Sequence, residues 1–337
     1  MHPAKLWSSR KDNAVQCGLC SHFCRIEDGE YGLCGVRVNE QGSLYTLVYD
    51  KVAAANVDPI EKKPLFHFLP GSWSFSIGTM GCNLACAFCQ NDSLSQGPKQ
   101  SHHIQGQSIS PEQVVQSATK HGCASISYTY SEPTIFFELM YDTSVLAREK
   151  GLKNVLVSNG FMSTQCLQEL GPYADAINVD LKAFTEEFYT TYCQARLKPV
   201  LHNLKTIKEL GWWLEVTTLI IPGLNDSRQE LRELASFLAQ ELGPEVPWHI
   251  SRFHPAYRMQ DISPTPVSTL EMAFEIGKQA GLHYVYLGNV PGHSSETTIC
   301  PQCGQAVIQR RAFTLGKSNL HEGKCGHCGA HIAGVYQ

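Results

Sequence analysis

The sequence has no apolar run long enough to cross a membrane. Stretches such as LIIP at 219–222 are a small part of the ~20 residues a spanning helix needs. Charge of one sign is also scarce: 27 Lys and Arg face 31 Asp and Glu, a formal charge of −4. The chain therefore lacks the basic field on which nucleic-acid binding draws, which argues against DNA or RNA as a partner. The opening, MHPAKLWSSRKDN, contains no apolar segment of the secretory-signal kind. Repeats and low-complexity tracts are missing as well. What these absences leave is an ordinary globular composition, 43% hydrophobic and 17% charged. At 337 residues there is room for one large barrel or a few smaller domains. A cytoplasmic protein without membrane association is expected.

Cysteine is what the sequence has in quantity, with 14 residues. In a reducing compartment, closely spaced cysteines point to metal binding or catalysis rather than to disulfides. Cys17, Cys20, Cys24 and Cys34 form one set, Cys82, Cys86 and Cys89 a second, and Cys300, Cys303, Cys325 and Cys328 a third. Cys123, Cys166 and Cys193 stand alone and read as small core hydrophobes, with a radical relay as the other reading of Cys193.

The pattern along the chain divides into a Cys-rich N-terminal module with a connector (1–72), a core (73–292) and a C-terminal module (293–337). The first ends in DPIEKKPLFHFLPG, whose prolines suggest a linker. In the core, apolar segments at 74–80, 124–130, 154–160, 175–182, 214–223, 247–253 and 283–289 alternate with helical patterns. Ser110 and Pro111 mark the start of one helix and Asp226 caps another. Strands apolar on both faces with helical crossovers imply an α/β fold with a parallel sheet, either a partial (β/α) barrel or an open doubly wound sheet. The tail is too short for its own apolar core and needs a metal staple.

Cys82, Cys86 and Cys89 are spaced C-x3-C-x2-C in MGCNLACAFCQN (80–91). Structural zinc and cubane iron–sulfur clusters both normally take four protein ligands. His102 and His103 lie beyond a polar loop and offer no compact fourth. Three thiolates on a 4Fe–4S cluster leave one iron open, as catalytic metal sites keep a position open for substrate or cofactor. An all-thiolate set also favours iron–sulfur chemistry.

The spacing, the aromatic Phe88 before the last cysteine and the α/β region that follows resemble the radical S-adenosylmethionine (radical SAM) superfamily. The resemblance implies a partial (β/α)6 barrel with the cysteines in the loop after the first strand. It implies that S-adenosylmethionine chelates the open iron and is cleaved reductively to a 5′-deoxyadenosyl radical, which abstracts hydrogen. Residues toward the cofactor would be Phe88, Glu132 in YSEP, Ser158 and Asn159 in SNG, Asp180 and Lys182 in DLK, and His254 in WHISRFHP, where His249 and Arg252 are further candidates. Glu132 would receive the methionine ammonium, although Tyr130 and Ser131 replace the two glycines usual before that glutamate. Ile221-Pro222-Gly223 would shape the wall behind the adenine.

CGLCSHFC, DPIEKKPLFHFLPGS, GTMGCNLACAFCQN, SYTYSEPTIF, NVDLKAF, LIIPGLNDS, HISRFHP and TTICPQCG occur together in order. This series is similar to the AmmeMemoRadiSam-system radical SAM enzymes, relatives of the pyruvate formate-lyase activating enzymes. It implies Memo-like and AMMECR1-domain proteins as partners and an electron donor such as a flavodoxin or ferredoxin. A glycyl-radical-enzyme activase and a non-catalytic, metal-stapled scaffold for those partners are the alternatives.

Cys300/Cys303 and Cys325/Cys328 are C-x2-C knuckles, each followed by glycine and separated by 21 residues, close to a zinc ribbon. Zinc is expected there. The N-terminal set, C-x2-C-x3-C-x9-C, lacks those glycines and reads as zinc or iron–sulfur.

Overall fold

Val, Ile, Phe and Tyr fill both faces of the core segments, and such segments become inner strands of a parallel sheet. In the computed structural model, which describes residues 1–290 and 292–337, there are seven: β1 (Trp73–Thr79), β2 (Ser125–Tyr128), β3 (Lys153–Ser158), β4 (Ala176–Asp180), β5 (Trp213–Ile220), β6 (Trp248–Arg252) and β7 (Val285–Gly288). Each pairs in parallel with the next in chain order. The crossovers carry α1 (Pro111–Lys120), α2 (Phe137–Glu149), α3 (Thr164–Leu170), α4 (Leu197–Glu209), α5 (Arg228–Phe237) and α6 (Val267–Gln279). A doubly wound sheet reverses its order at a switch point, whereas this one never does. β1 and β7 are not paired with one another. The architecture is an unclosed barrel of six β/α units and a terminal strand. No described helix is long and apolar enough to cross a membrane.

Local signals account for the helix starts. Ser110 Oγ accepts from Gln113 N while Gln113 Oε1 accepts from Ser110 N, a reciprocal cap with Pro111 in the first turn. At α5 the cap is Ser227, one residue later than expected. Asp226 instead accepts from Gly223 N at 3.0 Å and closes the preceding turn.

The residues before the connector form a strand that was not expected. Lys51–Pro59 is a strand antiparallel to β1, with Val57 opposite Phe75 and Asp58 opposite Ser74. Its run of alanines hid the alternation that marks a strand. Ala4, Val15, Leu19, Val36 and Leu44 share one apolar core with the barrel. The N-terminal residues thus share an apolar core with the barrel, and Lys51–Pro59 extends its sheet.

The C-terminal module, with strands Thr298–Ile299, Ala306–Arg311 and Thr314–Ser318, covers the opposite end of the barrel. Phe66 and Tyr286 pack with Val307, Ile308 and Ile332. Beneath them Glu215 accepts from Phe66 N (3.0 Å), His67 N (2.8 Å), Trp213 Nε1 (2.9 Å) and His249 Nε2 (2.6 Å). Burial alone would raise this carboxyl, but the hydrogen bond and charge of His249 outweigh it and hold it low.

His67 is fully buried, with Nδ1 2.7 Å from Ala333 O and Nε2 2.6 Å from Tyr286 Oη. One N–H and one acceptor nitrogen satisfy both contacts, which is the neutral imidazole. Burial lowers its pKa from 6.5 to about 4. The unfolded chain then takes up a proton that the folded chain refuses, so stability present above pH 6.5 is lost as the pH falls toward 4. The expected loss is roughly 3 kcal/mol across that window. Urea midpoints at neutral and acidic pH measure it, and His67→Gln should flatten the slope.

Candidate active site

β1 ends at Thr79, and the chain enters an irregular loop that carries Cys82, Cys86 and Cys89. An irregular segment must still place its amides. Ala85 N donates to Cys193 O and Ala87 N to Tyr192 O, both at 2.9 Å. These carbonyls belong to a π turn, Tyr189–Cys193, a feature frequent at functional sites. Leu84 N donates to Cys82 Sγ at 3.4 Å, and Cys89 Sγ lies 3.1 Å from Ser95 Oγ. Burial pushes the Cys82 and Cys89 thiols up; the adjacent Cys193 thiol, then burial, does so at Cys86.

The loop opens into a cavity of about 550 Å³ whose walls include all three cysteines, Glu132, Ser158, Lys182 and Ser251. Its residues come from the carboxyl ends of β1 to β6, where barrel folds assemble their sites, and its size suits a cofactor or small substrate. Phe88 is buried beside Phe188, ring centroids 5.7 Å apart, and lines the same space.

Glu132 follows β2 and ties it to β3. Its Oε1 accepts from Thr134 N (3.1 Å), Thr134 Oγ1 (2.5 Å) and Ser158 Oγ (2.8 Å), while Oε2 accepts from Asn159 N (2.8 Å). Oε1 is saturated, and Oε2 has capacity for one more donor. Burial raises the carboxyl against these lowering bonds. Asn159 turns toward the cysteine loop, where its Nδ2 donates to Asn83 Oδ1 at 2.8 Å and lies 3.8 Å from Cys82 Sγ. Lys182 Nζ bonds Asp180 Oδ2 at 2.5 Å. Burial alone would lower this ammonium, but Asp180 and then Cys86 outweigh it and raise its pKa. The pair thus sets a fixed cation beside the cysteine loop.

His254 does not join them. Phe253 takes the buried position after β6, and alternation leaves His254 exposed and outside the cavity lining. His249 has the inward parity but sits at the start of β6, one pair below Ser251, bound to Glu215. Arg252 turns away to Thr265 O at 2.8 Å. The Ile221 turn is also outside the lining, where Leu219 stands instead.

Lys62, Lys63, Tyr130, Ser131, Thr217 and Ser251 reach the cavity without having been foreseen. Tyr130 has φ +68°, the left-handed backbone natural to glycine, so the glycine geometry persists with a side chain attached. That side chain donates to Asp58 Oδ2 at 2.6 Å, and Lys63 Nζ (2.6 Å) and Lys62 Nζ (2.8 Å) share the same carboxylate. Burial would raise Asp58, yet these hydrogen bonds hold it well below the usual carboxylate range. The departure from glycine thereby ties Asp58, in the Lys51–Pro59 strand, to the cavity wall.

Three buried polar atoms near the cavity lack a partner: Asn83 Nδ2, Ser131 Oγ and Thr217 Oγ1. With the free side of Glu132 Oε2 they supply donors and an acceptor for a polar ligand. Three thiolates and these groups fit a site-differentiated 4Fe–4S cluster with S-adenosylmethionine beside it.

The other cysteine sets lie apart from the cavity. At the C-terminal module, Cys300 Sγ is 3.7 Å from Cys328 Sγ, and Cys303 Sγ is 3.8 Å from Cys325 Sγ. Among the described residues, no other group of three or more metal-ligating side chains brings its ligand atoms within 4.8 Å of one another. Cys17, Cys20 and Cys34 are buried and Cys24 is half-buried in the N-terminal module.

An unclosed parallel barrel with a three-thiolate loop at the carboxyl end of its first strand defines a cluster-binding barrel enzyme. The Radical SAM superfamily profile matches residues 76–238, and the chain belongs to that superfamily, whose members hold a 4Fe–4S cluster and S-adenosylmethionine. Uncharacterized protein MJ0808 of Methanocaldococcus jannaschii is 45% identical over 98% of this chain and 99% of its own. The (2S)-3-sulfopropanediol dehydratase activating enzyme of Klebsiella oxytoca is 22% identical over 44% of this chain and 49% of that protein. The pyruvate formate-lyase-activating enzyme of Clostridium pasteurianum is 20% identical over 54% and 80%. In fold the chain is similar to Streptococcus suis SuiB bound to S-adenosylmethionine (TM-score 0.51, 14% identity, 68% of this chain and 53% of that one). It is equally similar to a radical SAM methyltransferase from Sphaerobacter thermophilus (TM-score 0.51, 16% identity, 71% of each chain).

Proposed function

We propose that this chain cleaves S-adenosylmethionine reductively and uses the resulting 5′-deoxyadenosyl radical to take hydrogen from a partner protein or a small molecule. The observation that carries the reading is the three-cysteine loop opening into a cavity walled by strand-end polar groups. Cys82, Cys86 and Cys89 would hold the cluster. Glu132 Oε2 would accept from the methionine ammonium, Ser131 and Thr217 would offer hydroxyls to the remaining polar groups, and Lys182 would set positive charge beside Cys86.

That two relatives are activating enzymes supports a protein substrate, as in a glycyl-radical-enzyme activase. The motif series supports Memo-like and AMMECR1-domain partners, with a flavodoxin or ferredoxin as electron donor and the cytoplasm as location. Zinc is the proposed metal of the C-terminal quartet. Tetrahedral Zn–S bonds of 2.3 Å place sulfurs about 3.8 Å apart, and the two pairs lie at 3.7 and 3.8 Å. A second reading, the metal-stapled scaffold, has the same partners but no turnover.

The test is an anaerobic incubation of reconstituted, reduced protein with S-adenosylmethionine, both alone and with the Memo-like and AMMECR1-domain proteins. 5′-Deoxyadenosine supports the enzyme. A fully clustered sample that yields none in either mixture supports the scaffold.

A further inference from the structure

Cys17, Cys20, Cys24 and Cys34 line no part of the cavity, yet their loop is built against it. Gly81, just before Cys82, has φ +103°, and a Cβ there would lie 2.5 Å from Val36 Cγ1 and 3.2 Å from Cys34 O. Gly35, just after Cys34, has φ +76°, and a Cβ there would lie 2.8 Å from the backbone of Pro98 and Lys99. Only glycine allows both approaches. The N-terminal cysteine loop therefore packs closely against the residues on either side of the second one. His22 Nε2 lies 2.8 Å from Asn83 O, so residues beside Cys20 and Cys82 are one hydrogen bond apart. Ser21 N donates to Phe161 O (3.0 Å) and Ser21 Oγ to Met162 O (2.8 Å), which fixes the module on the loop after β3.

Among the described residues, only the C-terminal quartet brings three or more metal-ligating atoms within 4.8 Å of one another, so no three of these N-terminal sulfurs do. One zinc ion draws its thiolates to about 3.8 Å, the spacing of the two C-terminal pairs. A cubane cluster seats each thiolate on its own iron and takes a wider set. The surroundings suit a buried, negatively charged centre. Arg37, 1% exposed, donates from Nη1 to Cys17 Sγ at 3.4 Å, a charge-assisted contact of the kind that tunes cluster potentials.

We propose that Cys17, Cys20, Cys24 and Cys34 hold a second 4Fe–4S cluster that relays the reducing electron to the cluster on Cys82, Cys86 and Cys89. One electron from an external one-electron protein donor of the flavodoxin or ferredoxin class takes the N-terminal cluster from its 2+ to its 1+ state. That electron then reduces the second cluster from 2+ to 1+ and restores the first. No bond or proton moves in the transfer. The electron's destination rests on the radical SAM reading, whereas the presence of the N-terminal cluster does not.

The test separates the two. In the full chain bearing Cys82→Ala, Cys86→Ala and Cys89→Ala, anaerobic reconstitution should leave roughly four irons per chain against roughly eight in the wild type. The reduced variant should show a 4Fe–4S electron paramagnetic resonance signal that S-adenosylmethionine does not shift. A folded variant without iron, or with zinc in the N-terminal set, overturns the proposal. A wild-type signal unmoved by S-adenosylmethionine would instead count against the radical SAM reading. For the relay, Cys20→Ser with Cys24→Ser should lose 5′-deoxyadenosine formation driven by reduced flavodoxin but keep it with dithionite. Equal rates with flavodoxin in variant and wild type overturn the relay, and the alanine variant still decides the cluster if the serine variant does not fold.

Discussion

Replacing Cys86 with alanine is expected to abolish 5′-deoxyadenosine formation while leaving the metal content of the C-terminal quartet unchanged. The backbone of the loop does not depend on this thiol. Ala85 and Ala87 donate to the carbonyls of Cys193 and Tyr192, so the variant keeps its loop and loses only a ligand. Two thiolates cannot hold a cluster whose fourth iron must stay open. The Cys193 thiol is a direct neighbour of Cys86 and could stand in for it, so a Cys86→Ala, Cys193→Ala chain closes that route. Residual product in the single variant that disappears in the double would identify Cys193 as the substitute. The C-terminal quartet lies at the far end of the barrel and shares no partner with this loop, so its metal should not respond. If zinc instead fell by one equivalent and iron never bound, the cluster assignment would be wrong.

Legibility in the sequence tracked locality. Asp180 and Lys182 could be read because a strand end and its ion pair are neighbours along the chain. Glu132 was readable in place but not in surroundings: three of its four hydrogen bonds come from Thr134 and Ser158, and the fourth from Asn159 N. Those donors lie on two strand ends, and only the fold aligns them. His249 shows the limit of alternation. Parity puts it inside the barrel, but its height along the strand places it with Glu215 and Phe66 below the cavity. The network of Asp58, Lys63 and Tyr130 had no sequence signal, since Tyr130 lies 72 residues from Asp58 and its backbone conformation is one that tyrosine rarely adopts. Spacing alone also left the two four-cysteine sets alike in ligand count. Their opposite positions, one against the cysteine loop and one beneath the barrel, are what the fold adds to tell them apart.

Glu138→Ala should cost about 3–5 kcal/mol of stability, the range for breaking a buried ion pair from one side. Arg37 in the N-terminal module and Glu138 on α2 form an ion pair in which both side chains are 1% exposed. Glu138 Oε1 also accepts from Lys5 N at 2.7 Å, and Arg37 Nη1 donates to Lys5 O at 3.0 Å. Burial would favour a neutral guanidine, but Glu138 outweighs it and raises the Arg37 pKa. Without the carboxylate, a guanidinium stays charged in the core with carbonyl and sulfur contacts alone, and the N-terminal module should detach before the barrel melts. Guanidinium unfolding curves measure the loss, and limited proteolysis shows whether residues before the Lys51–Pro59 strand are released first. The pair is not fully satisfied, since Arg37 Nε and Glu138 Oε2 have no partner. Arg37→Met with Glu138→Leu should therefore recover most of the stability, as apolar replacements of buried pairs often do. The double variant still lacks the donor to Cys17, so a chain that is as stable as wild type yet holds an N-terminal cluster of lower reduction potential would divide Arg37 into its two roles. A cost below about 1 kcal/mol for Glu138→Ala would mean that the shared apolar core, and not this pair, seats the module.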